Sequence, residues 1–595
     1  MDWQLSDTSL AEPFSELDAS IESLRPWLAD PFPTQSLVDL PCYINRFAPE
    51  LLALTFQHVL GPVETQAREM FFWPSAVITS QRELRNLTQV CRYWYQVCHD
   101  TPLLWNTIYD TRNVECSMAS LLAGYPQVPL NVYIGRFVPS ERMMDLLRSD
   151  SWRIQNLNIC FPTTDSAADQ NAARRMIRRL PEEIMHALTQ PGFPKLKWLE
   201  LQHIAHCTNF EAPALKHLTI FSPLIRVKSK YPLLFRGHAP QLRTLTLRVA
   251  TWLPLNRFPS LTHLHISCTP RRLSPAEENR ATKWEVPELF SFMSRCPNLE
   301  DVVLWGIPEF HTIHEEVPVL HMRRLKRLVL GGMTELLIEW IFHHITMPAT
   351  SAACRLAGVL CAPEELEAVI VYTPPLALRT IHIQRKYMTT AITFCLADES
   401  SGIRIETRLP RISTQRSEEW GWSSAIWGLC RLREVRELYL EGLTPLLLKH
   451  FTSMPALMTM LPALTTLVCS DGVRPELLLQ YLAARDGAND GPCSPNLRTM
   501  HLCIPDDTDM ECLNPLVAFA ETRLRMGHPL RRVVIEVSRP TMEVESWIPQ
   551  EGRIDEALSP YVESVELRMY EGRNPRPRWP NVCAEMPHAE WPPWP

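Results

Sequence analysis

A phrase of the form Pro-x-Leu-x-x-Leu-x-Leu returns along this chain and constrains its fold more than any other feature. It stands complete as Pro194-Lys195-Leu196-Lys197-Trp198-Leu199-Glu200-Leu201, and variants follow at 213–220, 240–247, 259–266, 297–304, 462–469 and 495–502. Copies without the proline are Ile154/Leu157/Ile159, Leu325/Leu328/Leu330, Leu378/Ile381/Ile383, Val435/Leu438/Leu440, Leu530/Val533/Ile535 and Val562/Val565/Leu567. The last two apolar positions alternate, so both face one side of a short strand. The proline cannot continue a helix and favours an extended start. Strands this short are unstable alone, and stacking them buries one continuous core. The pattern predicts a solenoid, with helices over 286–293, 335–344 and 475–485 crossing its convex side. Insertions at about 268–295, 333–375 and 384–430 are expected to project as loops.

At 595 residues the chain exceeds one ordinary core unless that core is stacked. The net charge of −7, with both signs interspersed, argues against a nucleic-acid footprint. Proline, at 52 against 19 glycines, reverses the usual order and fits punctuation of repeats. The 17 cysteines form no Cys-x-x-Cys pair, and Cys469 stands in for an aliphatic residue. That usage suits reduced thiols in a cytoplasmic or nuclear protein. Neither a leader peptide nor a membrane span is expected.

Residues 1–38 are acidic and are expected to be disordered. A helix is predicted to start at Pro49-Glu50 and to stop at Gly61-Pro62. An insert at about 61–82, with Phe71-Phe72-Trp73-Pro74, reads as a loop. A second helix is predicted over 82–99, where Leu84, Leu87, Val90, Cys91, Trp94, Val97 and Cys98 form one stripe. His203, His206 and Cys207 lack a closed four-ligand set, and His311-Thr312-Ile313-His314-Glu315 lacks the order of a zinc helix. Glycine-rich phosphate loops and nucleophile elbows are missing, so no catalytic, metal or cofactor residue is assigned.

Residues 44–108 resemble an F-box. The family's Leu-Pro-x-Glu-Ile/Leu-Leu start, a phenylalanine soon after, its Val-Cys-x-x-Trp and its Pro-x-Leu-Trp have counterparts here. They are Phe47-Ala48-Pro49-Glu50-Leu51-Leu52, Phe56, Val90-Cys91-Arg92-Tyr93-Trp94 and Pro102-Leu103-Leu104-Trp105. Phe47 replaces the leucine, Ala48 the proline, and the insert is longer than in a minimal F-box. With irregular leucine-rich repeats behind it, the chain resembles the F-box proteins numerous in mushroom-forming fungi.

The resemblance implies an α+β fold. A small helical F-box at 39–112 precedes an irregular leucine-rich-repeat solenoid at 113–570, an open curved β-sheet with helices and loops on its convex side. A Pro/Trp-rich tail at 571–595 follows, without periodicity and expected to be loose or docked, not a domain. It implies a non-catalytic adaptor of a ubiquitin ligase, binding the Skp adaptor and through it a cullin, with a target on the repeats. The residues it assigns to the Skp adaptor are Phe47, Pro49, Glu50, Leu51, Leu52, Phe56, Val90, Cys91, Trp94, Pro102, Leu104 and Trp105. The concave strand face, with the projecting loops, is the expected target site. The alternative is a repeat scaffold that works outside any ligase.

Overall fold

The computed structural model describes residues 43–60, 75–110, 125–135, 139–160, 207–221, 232–249, 252–268, 284, 286–307, 317–348, 351–359, 379–385, 391–408, 432–442, 458, 461–470, 478–479, 494–504, 514–538, 548–570, 575–585, 591–592 and 594. The acidic segment 1–38, the phrase at Pro194, His203, His206 and the 311–315 histidines lie outside them. The chain divides into two units, one within 1–61 and 77–104, the other within 62–76 and 105–595.

The first unit is helical. Helix α1 (Pro49–Val59) has proline in its first turn, where a missing N–H costs nothing, and buries Leu52 and Phe56 one turn apart. Helix α2 (Ser75–Val90) starts earlier than the loop expected up to residue 82 allows. The polar run Thr79-Ser80-Gln81 dilutes the hydropathy signal, but no glycine or proline interrupts Ser75 to Val90. The single helix expected over 82–99 is broken at Cys91, which is extended at φ −161° and ψ 169°. Its sulfur accepts the Trp94 N–H at 3.4 Å and so caps α3 (Arg92–His99).

The second unit is built on a 17-stranded sheet. Strands β1 (Thr107–Asp110), β2 (Leu130–Ile134), β3 (Ile154–Cys160), β4 (His217–Phe221), β5 (Thr244–Arg248), β6 (His263–Ser267) and β7 (Asp301–Trp305) pair in chain order, all parallel. The sheet thus begins inside the span expected for the helical domain. Two-residue strands β8 (Leu320–His321) and β10 (Ile345–Thr346) pair separately. Strand β9 (Arg327–Gly331) joins β7 to β11 (Ala353–Val359).

Chain order then breaks. Strands β12 (Thr380–Arg385), β13 (Ala391–Ala397) and β14 (Gly402–Arg408) form an antiparallel meander set in reverse, β14 beside β11 and β12 beside β15 (Glu437–Glu441). Parallel pairing resumes through β16 (Thr466–Ser470), β17 (Thr499–Ile504), β18 (Leu530–Ser538) and β19 (Val562–Tyr570). The insertions expected to project as loops therefore supply β11, β13 and β14. The β13–β14 turn is closed by Asp398, whose Oδ1 accepts the N–H groups of Ser400 and Ser401 at 2.6 and 2.7 Å.

Register makes the core. One row runs Leu157, Leu218, Leu245, Leu264, Val302, Leu328 and Cys354, and a second runs Ile159, Ile220, Leu247, Ile266, Leu304, Leu330 and Leu356. All are buried, and a one-residue slip would turn either row to the opposite face. A third row comes from the first leucine of the phrase. The N–H groups of Leu215, Leu242, Leu261, Leu299, Leu464 and Leu497 each bond the carbonyl three residues back. Pro213, Pro240, Pro259, Pro297, Pro462 and Pro495 are thereby second residues of turns, where a fixed φ is an advantage. The proline's role is to set a turn and not, as its sequence context suggested, an extended start.

Helices α4 (Glu141–Ser149), α5 (Val286–Ser294), α6 (Glu335–His344), α7 (Asn514–Arg525) and α8 (Ile548–Leu558) pack apolar side chains into this same core. None of the described helices is long and apolar enough to cross a membrane.

On the opposite face, burial pushes His217 down to about 4, with His263, Lys216 and Arg243 adding repulsion. The folded chain therefore binds fewer protons here than the unfolded chain between about pH 6.5 and 4, and stability falls as pH drops through that window. His217→Asn is expected to remove on the order of 2–3 kcal/mol of this acid loss. Urea titrations of both proteins at pH 7 and pH 4.5 measure it, and equal acid losses would exclude His217 as the cause.

Candidate functional site

The helical unit carries an unusual surface for its size. Leu52, Phe56, Leu84, Val97 and Cys98 fill its interior. The Phe56 and Trp94 rings meet at 4.8 Å between centroids, and the Tyr93 hydroxyl donates to the Phe47 carbonyl at 2.7 Å. Burial pushes the Cys98 thiol up to about 11, as for a cysteine that serves as packing. Outside this interior, Phe47, Leu51, Leu54, Val59, Val90, Tyr95 and Leu103 are exposed, Leu51 at 57% and Val90 at 58%. Half of the exposed large apolar side chains among the described residues lie in this one small unit. Scattered exposed leucines need no explanation, but such a concentration is what an interface leaves when its partner is away.

The residues singled out in the sequence separate accordingly. Phe47, Pro49, Glu50, Leu51 and Val90 are exposed, Cys91, Trp94, Pro102 and Leu104 are half-buried, and Leu52 and Phe56 are interior. Trp105 packs against the core of the sheet unit. Leu54, Val59, Tyr95 and Leu103 were missed. Leu54 lies three residues after Leu51 on α1, so helical spacing alone could have found it.

In the second unit the face opposite the main core has its own occupant. Val303, Val329, Ala353, Cys395 and Ala397 line it, and Cys583, Trp591 and Trp594 are buried against them, with Trp579 and Val582 alongside. The described residues of the Pro/Trp-rich tail thus dock on the strand face expected to take a target. One turn of helix, α9 (Asn581–Ala584), sits within it. Arg327 anchors it, donating to the Val582 carbonyl at 3.0 Å and pairing with Glu585 at 2.5 Å and Asp301 at 3.1 Å. Burial opposes the Asp301 charge, but hydrogen bonds and charges from His263 and Arg327 outweigh it and hold the carboxyl below its ordinary range.

His501, Cys503 and Glu536 bring three donor atoms within 4.8 Å of one another on β17 and β18. Burial lowers the His501 pKa and the positive charges of Arg568 and Arg532 lower it further, against Glu536, which raises it. Those arginine charges oppose a cation there, and the trio reads as an ion-pair network.

Among curated proteins none matches this chain. Residues 78–111, which hold most of α2, all of α3 and β1, match the family model described as F-box-like, and that domain supports an F-box protein.

Proposed function

We propose that the chain is the substrate-recognition adaptor of a Skp–cullin–F-box ubiquitin ligase, acting in the cytoplasm or nucleus. The observation that carries this is the F-box-like match at 78–111, on a unit whose apolar side chains are concentrated at its surface. F-box domains generally bind Skp-type adaptors, and F-box proteins are generally non-catalytic. In this reading the exposed Phe47, Leu51 and Val90 meet the adaptor directly, while Leu52 and Phe56 hold α1 in position. The sheet is read as an irregular leucine-rich-repeat solenoid, supported by its parallel strands and in-register apolar rows. Its task is to hold a target near the charged enzyme, which speeds transfer by effective concentration and needs no chemistry of its own.

Co-expression with the Skp-type adaptor of the same organism tests this. The expected result is a one-to-one complex that survives gel filtration. A chain that elutes alone, folded by circular dichroism, overturns the adaptor role and leaves a repeat scaffold outside any ligase.

A further inference from the structure

The seat beneath the Pro/Trp-rich segment is shaped to aromatic rings. Small residues Ala353, Cys395 and Ala397 lie where Trp591 and Trp594 are buried. A Cβ on Gly402 would stand 2.6 Å from the Trp594 ring and 2.8 Å from the Cys583 sulfur. The segment is held as a bound peptide is held. Among the described residues it adds no strand to the sheet, and its grip comes from buried rings, one helical turn and the Arg327–Glu585 pair. Its fit is incomplete, because the Trp594 indole N–H is buried without a hydrogen-bond partner among the described residues. That loss weakens the segment's hold and favours exchange. Beside it, a cavity of about 970 Å3 reaches from Trp579 to Arg379 and Arg436, with room for a longer occupant.

We propose that this seat is a peptide-recognition surface for an extended protein segment with two tryptophans three residues apart, prolines between them, and a carboxylate for Arg327. The chain's own Trp591-Pro592-Pro593-Trp594, with Glu585, is the resident occupant, and a target's segment displaces it. This rests on reading the sheet as the target-binding part. It makes target capture competitive: the tethered segment acts at an effective concentration near millimolar, so only a target that binds more tightly or at several points gains the seat.

The test uses the full chain with a site-specific protease sequence inserted after Gly572. A fluorescein-labelled peptide of residues 575–595 is followed by anisotropy before and after cleavage. Saturable one-to-one binding is expected after cleavage, at least 100-fold tighter than before it. A peptide with Trp591→Ala and Trp594→Ala is expected not to bind. A cleaved Gly402→Val chain, with unchanged circular dichroism, is expected not to take up the wild-type peptide. If the cut segment never exchanges with excess peptide, it is a fixed part of the core and the proposal fails. Equal binding of the alanine peptide also overturns it. Capture of the Skp-type adaptor by the same samples is scored separately, so a chain that binds adaptor but refuses peptide loses only this inference.

Discussion

A chain carrying Leu51→Asp and Val90→Lys is expected to bind a Skp-type adaptor at least 100-fold more weakly, with its unfolding midpoint almost unchanged. Both side chains are more than half exposed, so in the free chain neither change empties a core site. The charges are also matched to their helices. Leu51 lies in the first turn of α1, where an aspartate suits the positive end of the dipole. Val90 ends α2, where a lysine suits the negative end. In a complex each position would instead bury a charge where an apolar anchor belonged, and truncating two such anchors costs about 3–4 kcal/mol or more. Calorimetric titration with thermal melts separates the two effects. Leu52→Asp is the contrast, since its side chain is fully buried and its loss of binding should come with unfolding. Trp94→Ala is a poorer probe, because the Trp94 ring packs on Phe56 and its removal disturbs the unit itself. Unchanged adaptor affinity in the double variant would remove this surface from the interface.

What could be read from the sequence was what the strand period writes directly. Rows such as Leu218–Leu245–Leu264 were legible because a two-residue alternation has one geometric meaning. The helices expected over 286–293 and 335–344 are present, and what failed was the strands that do not repeat the phrase. Strands β13 and β14 carry a plain hairpin signal, Ala-Ile-Thr-Phe-Cys-Leu-Ala and Gly-Ile-Arg-Ile-Glu-Thr-Arg about Asp-Glu-Ser-Ser, but they fall between copies and so counted as insertion. The seat of Trp591 and Trp594 could not be read for another reason. A segment without periodicity gives no local sign of a contact more than 250 residues away, such as that of Glu585 with Arg327. In the helical unit the sequence does not separate interior from surface, since Leu51 and Leu52 are adjacent and equally apolar. Only the rotation of α1 against α3 decides which one faces water.

The largest single-residue loss of stability is expected at Arg523, which no sequence motif singles out. Its side chain is 1% exposed. Nε donates to the His528 carbonyl at 3.1 Å, and one terminal nitrogen donates to those of Ser494, Pro495 and Leu497 at 2.9, 3.4 and 3.3 Å. The guanidinium therefore satisfies the turn before β17 and the end of α7 at once, and it lies 5.7 Å from the centre of the Phe519 ring. Removing it takes one donor from each of four carbonyls, of which Ser494 keeps the Leu497 N–H at 3.0 Å and Pro495 keeps His528 Nδ1 at 3.1 Å, and it leaves a hole the length of the side chain. Both penalties act together, and Arg523→Ala is expected to cost about 3–5 kcal/mol. Arg523→Lys keeps the charge but not the planar fork, and a compact ammonium cannot reach carbonyls on both sides, so it should recover less than half of the loss. Arg525→Ala, two residues along and paired with Glu521 only at the surface, should stay within about 0.5 kcal/mol of the parent. Urea unfolding gives the magnitudes, and hydrogen exchange gives the location. Each strand pairs only with its two neighbours, so amides of β17 and β18 should lose protection while those of β4 and β5 keep it. An Arg523→Ala chain as stable as the Arg525→Ala chain would mean that water replaces the guanidinium at those four carbonyls without penalty, and that the turn before β17 holds its shape on leucine packing alone.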